Sequence, residues 1–188
     1  MKTIKNTLVI VFAFALVSFT TSTIKKDVKV KDSKITWTGH KLTGKHEGTI
    51  GLKEGTLSFE GKKLTSANFI IDMTSINTTD LSGENKANLD GHLKSPAFFD
   101  VKNHPTASFK TTSVKGKDGN YEVTGEMTIK GIANTISFTM EVGEKAATAK
   151  LKVNRAKHNV KYGSASFFDN LKDKVISDDF DLNVELTF

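Results

Sequence analysis

YEVTGEMTIKGIANTISFTMEV, residues 121–142, alternates apolar and polar side chains through two successive runs. Tyr121, Val123, Gly125, Met127 and Ile129 stand against Glu122, Thr124, Glu126, Thr128 and Lys130. Ile136, Phe138, Met140 and Val142 then stand against Ser137, Thr139 and Glu141. A strand turns alternate side chains to opposite faces, so a period of two with one apolar set predicts a strand buried on one side only. Two such runs joined by Gly131 to Asn134 predict an antiparallel hairpin.

The same alternation extends outward in both directions. Phe180, Leu182, Val184, Leu186 and Phe188 oppose Asp181, Asn183, Glu185 and Thr187 at the C-terminal end. Earlier strands are expected at 35–40, 46–52, 56–60, 67–73 and 106–114. Glycines 44, 48, 51, 55 and 61 punctuate the first half, and glycine within a strand marks a bulge or sharp bend. About eight bent strands predict an all-β, antiparallel barrel rather than a flat sandwich. One helical stretch is expected from Ser82 to Lys94, with Leu89 and Leu93 one turn apart, Asp80 or Ser82 as cap and Pro96 as stop. From pattern alone this helix either lids one end of the barrel or packs outside it. SPAFFDVK, residues 95–102, and SASFFDNLK, residues 164–172, share Ser-x-x-Phe-Phe-Asp and are expected to form two similar loops.

Arg155 is the single arginine of the chain and breaks the pattern. Ala147, Ala149, Leu151 and Val153 share its phase, so Arg155 is expected to point inward at the end of its strand. A guanidinium keeps its charge and is costly to bury alone. It therefore meets either a polar ligand group or an internal carboxylate, with Asp100 and Asp169 of the two Phe-Phe-Asp loops as the expected partners.

Residues 1–22 read as an export signal: Lys2 and Lys5, an apolar run from Leu8 to Val17, then small and hydroxyl residues to Ser22. The run is shorter than the roughly 20 apolar residues of a membrane-spanning helix. The expected working protein is residues 23–188, one domain, periplasmic or secreted. Loss of two lysines and no acid takes the formal charge from +6 to +4. There is no cysteine, so no disulfide framework holds the fold. One arginine, one tryptophan and dispersed lysines argue against nucleic acid. At most weak contact with an anionic membrane surface is expected.

Three separated segments, in order, resemble the YceI-like family of exported, lipocalin-like proteins over residues 33–188. GHLKSPAFFDVKNHPTASF, residues 91–109, is similar to that family's His-Leu, Ser, Phe-Phe-Asp, Pro and Ser-Phe pattern. VTGEMTIKGIANTISF, residues 123–138, is similar to its Gly-x-Leu-Thr-x-x-Gly strand pair, with Met127 where leucine is usual. VNRAKHNVKYGS, residues 153–164, carries the late arginine, with His158 where an aromatic is more typical. The resemblance implies a barrel of about eight strands holding a long apolar molecule, a polyisoprenoid or fatty-acid-like lipid, with no cofactor and no catalytic residues.

Such a ligand needs an apolar wall. By strand phase and loop position, Trp37, Phe69, Ile71, Phe98, Phe99, Phe109, Ile129, Phe138, Leu151 and Val153 are the candidates, and ordinary core packing is the alternative for each. Arg155, His46 and His92 are candidates for head-group or structural hydrogen bonds, whereas His40, His104 and His158 read as surface residues. No metal is expected, because the chain has no cysteine and its helix no His-x-x-x-His. No Gly-x-Ser-x-Gly, cysteine nucleophile or glycine-rich phosphate loop points to an enzyme. A non-catalytic envelope interaction module with a side-chain-filled barrel is the competing class, and a homodimer is compatible with the sequence.

Overall fold

A computed structural model describes residues 25–188 of the chain; the expected signal, residues 1–22, lies outside the described residues. Nine strands form one antiparallel sheet: β1 (Lys25–Lys29), β2 (Asp32–Lys41), β3 (Gly44–Glu60), β4 (Lys63–Thr78), β5 (Thr106–Lys117), β6 (Asn120–Ile129), β7 (Ile132–Val142), β8 (Ala146–Asn154) and β9 (Ile176–Thr187). Each strand from β3 to β9 pairs with its predecessor, except that β9 also pairs with β2. That last pairing closes an eight-stranded ring, which removes the exposed edges of an open sheet. β1 adds no ninth position. It pairs with Thr56–Glu60 of β3 while β2 pairs with Gly44–Ile50, so the two short strands lie in line along one edge of a long one.

The strands expected at 46–52 and 56–60 are one strand of 17 residues, β3. Its register against β4 shifts between Thr49 and Gly51 and again between Leu52 and Glu54. The extra residues are bulges, which let a long strand curl around the barrel instead of ending. The 121–142 hairpin pairs in continuous register from Asn120↔Glu141 to Ile129↔Ile132. Its turn is tighter than expected: Lys130 and Gly131, at φ 52° and 74°, form the two-residue type whose twist matches the flanking strands.

The barrel is packed solid at one end. Leu57, Leu64 and Val123 are completely buried there, with Tyr121 and Phe188 beside them, close to the β3–β4 and β5–β6 turns. Burying each such side chain contributes roughly 1.5–3 kcal/mol. The opposite end carries the two long connections, residues 79–105 and 155–175, and the short helix α1 (Gly83–Lys94). Ser82 occupies the N-cap position without a side-chain capping bond. Asp80, the other expected cap, instead accepts from the Glu47 backbone N–H at 3.1 Å and pairs with His46. The helix is held by tertiary contacts: Lys86 donates to the Asn77 side-chain Oδ1 and to Asp90, and Asp90 accepts from the Thr78 backbone N–H at 2.8 Å.

Candidate functional site: an apolar cavity under a helical lid

Between the solid end and α1 the barrel encloses a cavity of about 160 Å³. Its wall is built from inward positions of the strands, from Met140, Ala149 and Leu186 at depth to Leu93, Phe98, Phe99, Arg155 and Ile176 at the helix-capped end. On β9 alone the lining runs from Ile176 to Leu186, and at roughly 3.3 Å per residue that is on the order of 30 Å of strand. The space is therefore long and narrow. Apolar cavities of about 150 Å³ stay dry and take up benzene-sized guests. All three methionines among the described residues, Met73, Met127 and Met140, line this one. Their unbranched side chains re-pack easily, so the wall is able to widen around a longer guest.

Of the ten apolar wall candidates, Trp37, Phe69, Ile71, Phe98, Phe99, Phe109, Ile129, Phe138 and Leu151 line the cavity. Val153 does not; it is completely buried in the packed core alongside. The period of two placed Val153 on the correct face, but phase carries no information about how far a neighbour's side chain reaches over it. Residues 95–101 fold back under α1, with backbone bonds from Phe98 to the Ser95 carbonyl and from Phe99 to the Leu93 carbonyl. These turn Phe98 and Phe99 into edge-on contact, ring centroids 4.9 Å apart, over the cavity. The helix segment is thus a lid, which settles the choice that the sequence pattern left open.

Arg155 is 2% exposed, and neither Asp100 nor Asp169 meets it. It donates from Nη1 to the Val160 carbonyl at 2.7 Å, from Nε to Ser177 at 2.9 Å and from Nη2 to Ile176 at 3.0 Å. Its ionic partner is Asp178, 3.7 Å away, and its guanidinium lies 5.4 Å from the centre of the Phe98 ring. Asp178 stays ionised because hydrogen bonds from Ser164 and Ser166 and the nearby guanidinium outweigh the desolvation that would raise its pKa. Arg155 is a clamp joining the start and end of the 155–175 connection to the lid. β2 and β9 explain why: their register jumps from Gly39↔Phe180 to Lys41↔Ile176, which frees carbonyls near Ser177 from the sheet.

His46 sits at the rim, its Nδ1 2.8 Å from Asp80, and ties β3 to the lid connection without lining the cavity. His92 packs on α1 between the Phe98 ring and the Tyr162 ring, with centroids 5.6 and 4.3 Å away. Its Nε2 is buried with no hydrogen-bond partner. His158, expected at the surface, is 1% exposed. β7 pairs with β8 only over Thr139–Val142, and the 3-10 helix Arg155–His158 covers the unpaired remainder of β7. His158 donates from Nδ1 to the Ile132 carbonyl at 2.8 Å, and Asn134 donates to the Lys157 carbonyl at 2.8 Å. The early parting of β8 from β7, while β8 stays paired with β9 as far as Asn154, is what buries His158, and nothing in the local sequence announces it.

Burial holds the pKa values of both His92 and His158 below the ordinary imidazole value. The unfolded chain then binds more protons than the folded one once the pH drops below about 6.5. Stability contributed by these neutral rings is therefore present above that pH and is lost on acidification toward the lowered folded values. Urea midpoints should fall between pH 7 and 5, less steeply for His158→Gln. A midpoint flat across that range in the parent protein would contradict the buried, neutral rings.

The sequence comparisons agree with this architecture. A YceI-like domain family model matches residues 24–188. A UPF0312 protein of Pectobacterium atrosepticum is 31% identical over 93 residues, covering 48% of this chain and 45% of that protein. Protein YceI of Escherichia coli O157:H7 is 32% identical over 93 residues, covering 48% and 46%. The chain thus spans about half the length of the curated relatives it matches. Among solved structures, BcnA of Burkholderia cenocepacia superposes with a TM-score of 0.64 at 22% identity, over 83% of this chain and 96% of that one. A polyisoprenoid binding domain from Saccharophagus degradans, described as implicated in plant cell wall breakdown, gives 0.56 at 14%, over 84% and 95%. At those identities the structures share the fold, while the match of the family model runs through every strand, the lid and the arginine clamp: this chain belongs to the YceI-like family.

Proposed function

We propose that this protein binds and carries, or sequesters, a long apolar molecule of the polyisoprenoid or fatty-acyl class in the cell envelope, periplasmic or secreted. The observation that carries the reading is the long cavity, walled by apolar side chains and closed by Phe98 and Phe99. A chain-like guest fills such a space and gains about 25 cal/mol for each Å² of apolar surface removed from water. The kinship with a domain described as polyisoprenoid binding supports the same ligand class. Arg155 has three of its donors on backbone carbonyls, so recognition rests on the tail more than on a charged head. Binding rather than catalysis is the role this wall suits.

Native mass spectrometry of protein purified from its own envelope, followed by organic extraction, tests the proposal. A stoichiometric apolar molecule is the expected result. Trp37, the single tryptophan, lines the cavity and reports uptake of added probes. Protein that is empty and shows no change in Trp37 emission with polyprenyl or fatty-acyl probes would instead be the interaction module.

Gly39 offers a way to close the site. It lines the cavity at the helix-capped end, and a Cβ placed there meets nothing within 4 Å. Gly39→Leu should fold normally and weaken probe binding at least tenfold by occupying the mouth. Unchanged affinity, read from Trp37 emission, would mean the guest does not pass that point.

A further inference from the structure

Five large hydrophobic side chains are exposed among the described residues: Leu42, Ile132, Tyr162, Phe167 and Phe168 in 42, 132, 162, 167 and 168 order along the chain. All five lie at the helix-capped end: Ile132 opens β7, and the other four belong to the β2–β3 turn or the 155–175 connection. The turns of the solid end, Gly61–Lys62, Asp118–Gly119 and Gly143–Lys145, carry no large apolar residue. Four of the five are neighbours. The Leu42 N–H bonds to the Val175 carbonyl, Ile176 bonds to the Gly163 carbonyl beside Tyr162, and Phe167 and Phe168 both bond to the Ser164 carbonyl.

The two Ser-x-x-Phe-Phe-Asp loops make the exposure informative. In each, the first Phe N–H bonds to the carbonyl of the leading serine, Ser95 or Ser164. Phe98 and Phe99 turn inward, yet Phe167 and Phe168 remain 42% and 49% exposed. Neighbouring exposed aromatics mark a surface that meets another apolar phase. The same segments, residues 41–45 and 159–175, carry five lysines, Lys41, Lys45, Lys161, Lys172 and Lys174, against two aspartates, Asp169 and Asp173. All five lysines are exposed, and Lys161 lies 5.0 Å above the Phe167 ring. Aromatic side chains that sit at headgroup depth, ringed by lysines that neutralise anionic lipid, are the chemistry of an interfacial anchor.

We propose that the helix-capped end docks on an anionic lipid surface, with Leu42, Tyr162, Phe167 and Phe168 entering the headgroup region and the surrounding lysines contacting lipid phosphates. The docking stands on this rim alone. Its consequence, that the cavity mouth is presented to a lipid reservoir so that an apolar guest crosses without entering water, rests on the carrier reading.

Sedimentation with vesicles of phosphatidylcholine, with and without phosphatidylglycerol, tests the docking. The protein should associate with the anionic vesicles at low ionic strength, release as salt rises, and associate at least tenfold more weakly when it carries Phe167→Ser and Phe168→Ser together. Both side chains are exposed, so an unchanged melting temperature will show the double variant to be folded. Phe168→Trp should add emission that brominated acyl chains quench. Absence of association at low salt overturns the proposal, as does a double variant that binds like the parent, which would leave only diffuse attraction to lysines. A concentration-dependent dimer abolished by the double variant, without vesicle binding, would assign the patch to a second copy of the chain instead. Vesicle binding retained by Gly39→Leu, whose cavity is closed, separates failure of the docking from failure of the carrier reading.

Discussion

Arg155→Leu is expected to destabilise the fold by about 3–5 kcal/mol, the range for removing one partner of a buried ion pair. The substitution strips donors from three carbonyls, those of Val160, Ile176 and Ser177, and leaves Asp178 facing an apolar side chain. The damage should begin locally: amide exchange across residues 159–176 should accelerate before the strands respond, because the clamp holds that connection rather than the sheet. Urea unfolding with hydrogen exchange measures both effects. Arg155→Lys should recover only part of the loss, since an ammonium lacks the planar fork that reaches three acceptors. A variant as stable as the parent but weaker for ligands with polar heads would restore the guanidinium to a head-group role.

Gly48→Val should be about as damaging, at 3 kcal/mol or more. A Cβ at Gly48 would lie 2.1 Å from the Asn77 carbonyl oxygen and 2.5 Å from Cζ2 of Trp37. One neighbour is backbone, and the other is an indole held by its Nε1 donation to the Thr49 carbonyl at 3.2 Å, so neither yields cheaply. Forcing extra carbon into a packed site costs about 1–3 kcal/mol and more where backbone must move. The Trp37 ring lies across the directly opposed glycine of the neighbouring strand, and displacing it should shift tryptophan emission in the folded protein as well as lower the melting temperature. Gly39→Ala, two residues from Trp37 on the same face but in open space, serves as the contrast and should be nearly neutral. Equal melting temperatures for Gly48→Val and the parent would show that the strand relaxes around the added side chain.

Strand periodicity explains why so much of the wall was legible. A side chain's face follows from its parity along the strand, and parity is a local property. Trp37, Phe69, Ile71, Phe109, Ile129, Phe138 and Leu151 reach the cavity by that rule. Phe98 and Phe99 obey no period. They were placed by the helix and proline that bracket their loop, and the inward turn itself comes from backbone bonds to Ser95 and Leu93. The identical Ser-x-x-Phe-Phe-Asp in the second loop points its aromatics outward, so the motif encodes a turn but not its destination.

Legible from the order of residues alone are an all-β antiparallel barrel, the inward face of nearly every strand, a helix before the paired phenylalanines and an arginine bound to be buried. Those follow from side-chain alternation and from the cost of desolvating a charge, both of which act within a few residues. It takes the closed barrel to show that one end is solid and the other hollow, that Arg155 meets carbonyls and Asp178, and that His158 is sealed against β7. The fold likewise gathers the exposed aromatics Tyr162, Phe167 and Phe168 at the helix-capped end. Each of these depends on which distant segments the closed ring brings together: β9 against β2, the 155–175 connection against the lid, and β8 parting early from β7. A registry jump or an unpaired strand edge is set by the geometry of closing the whole barrel, and no short window of sequence carries it.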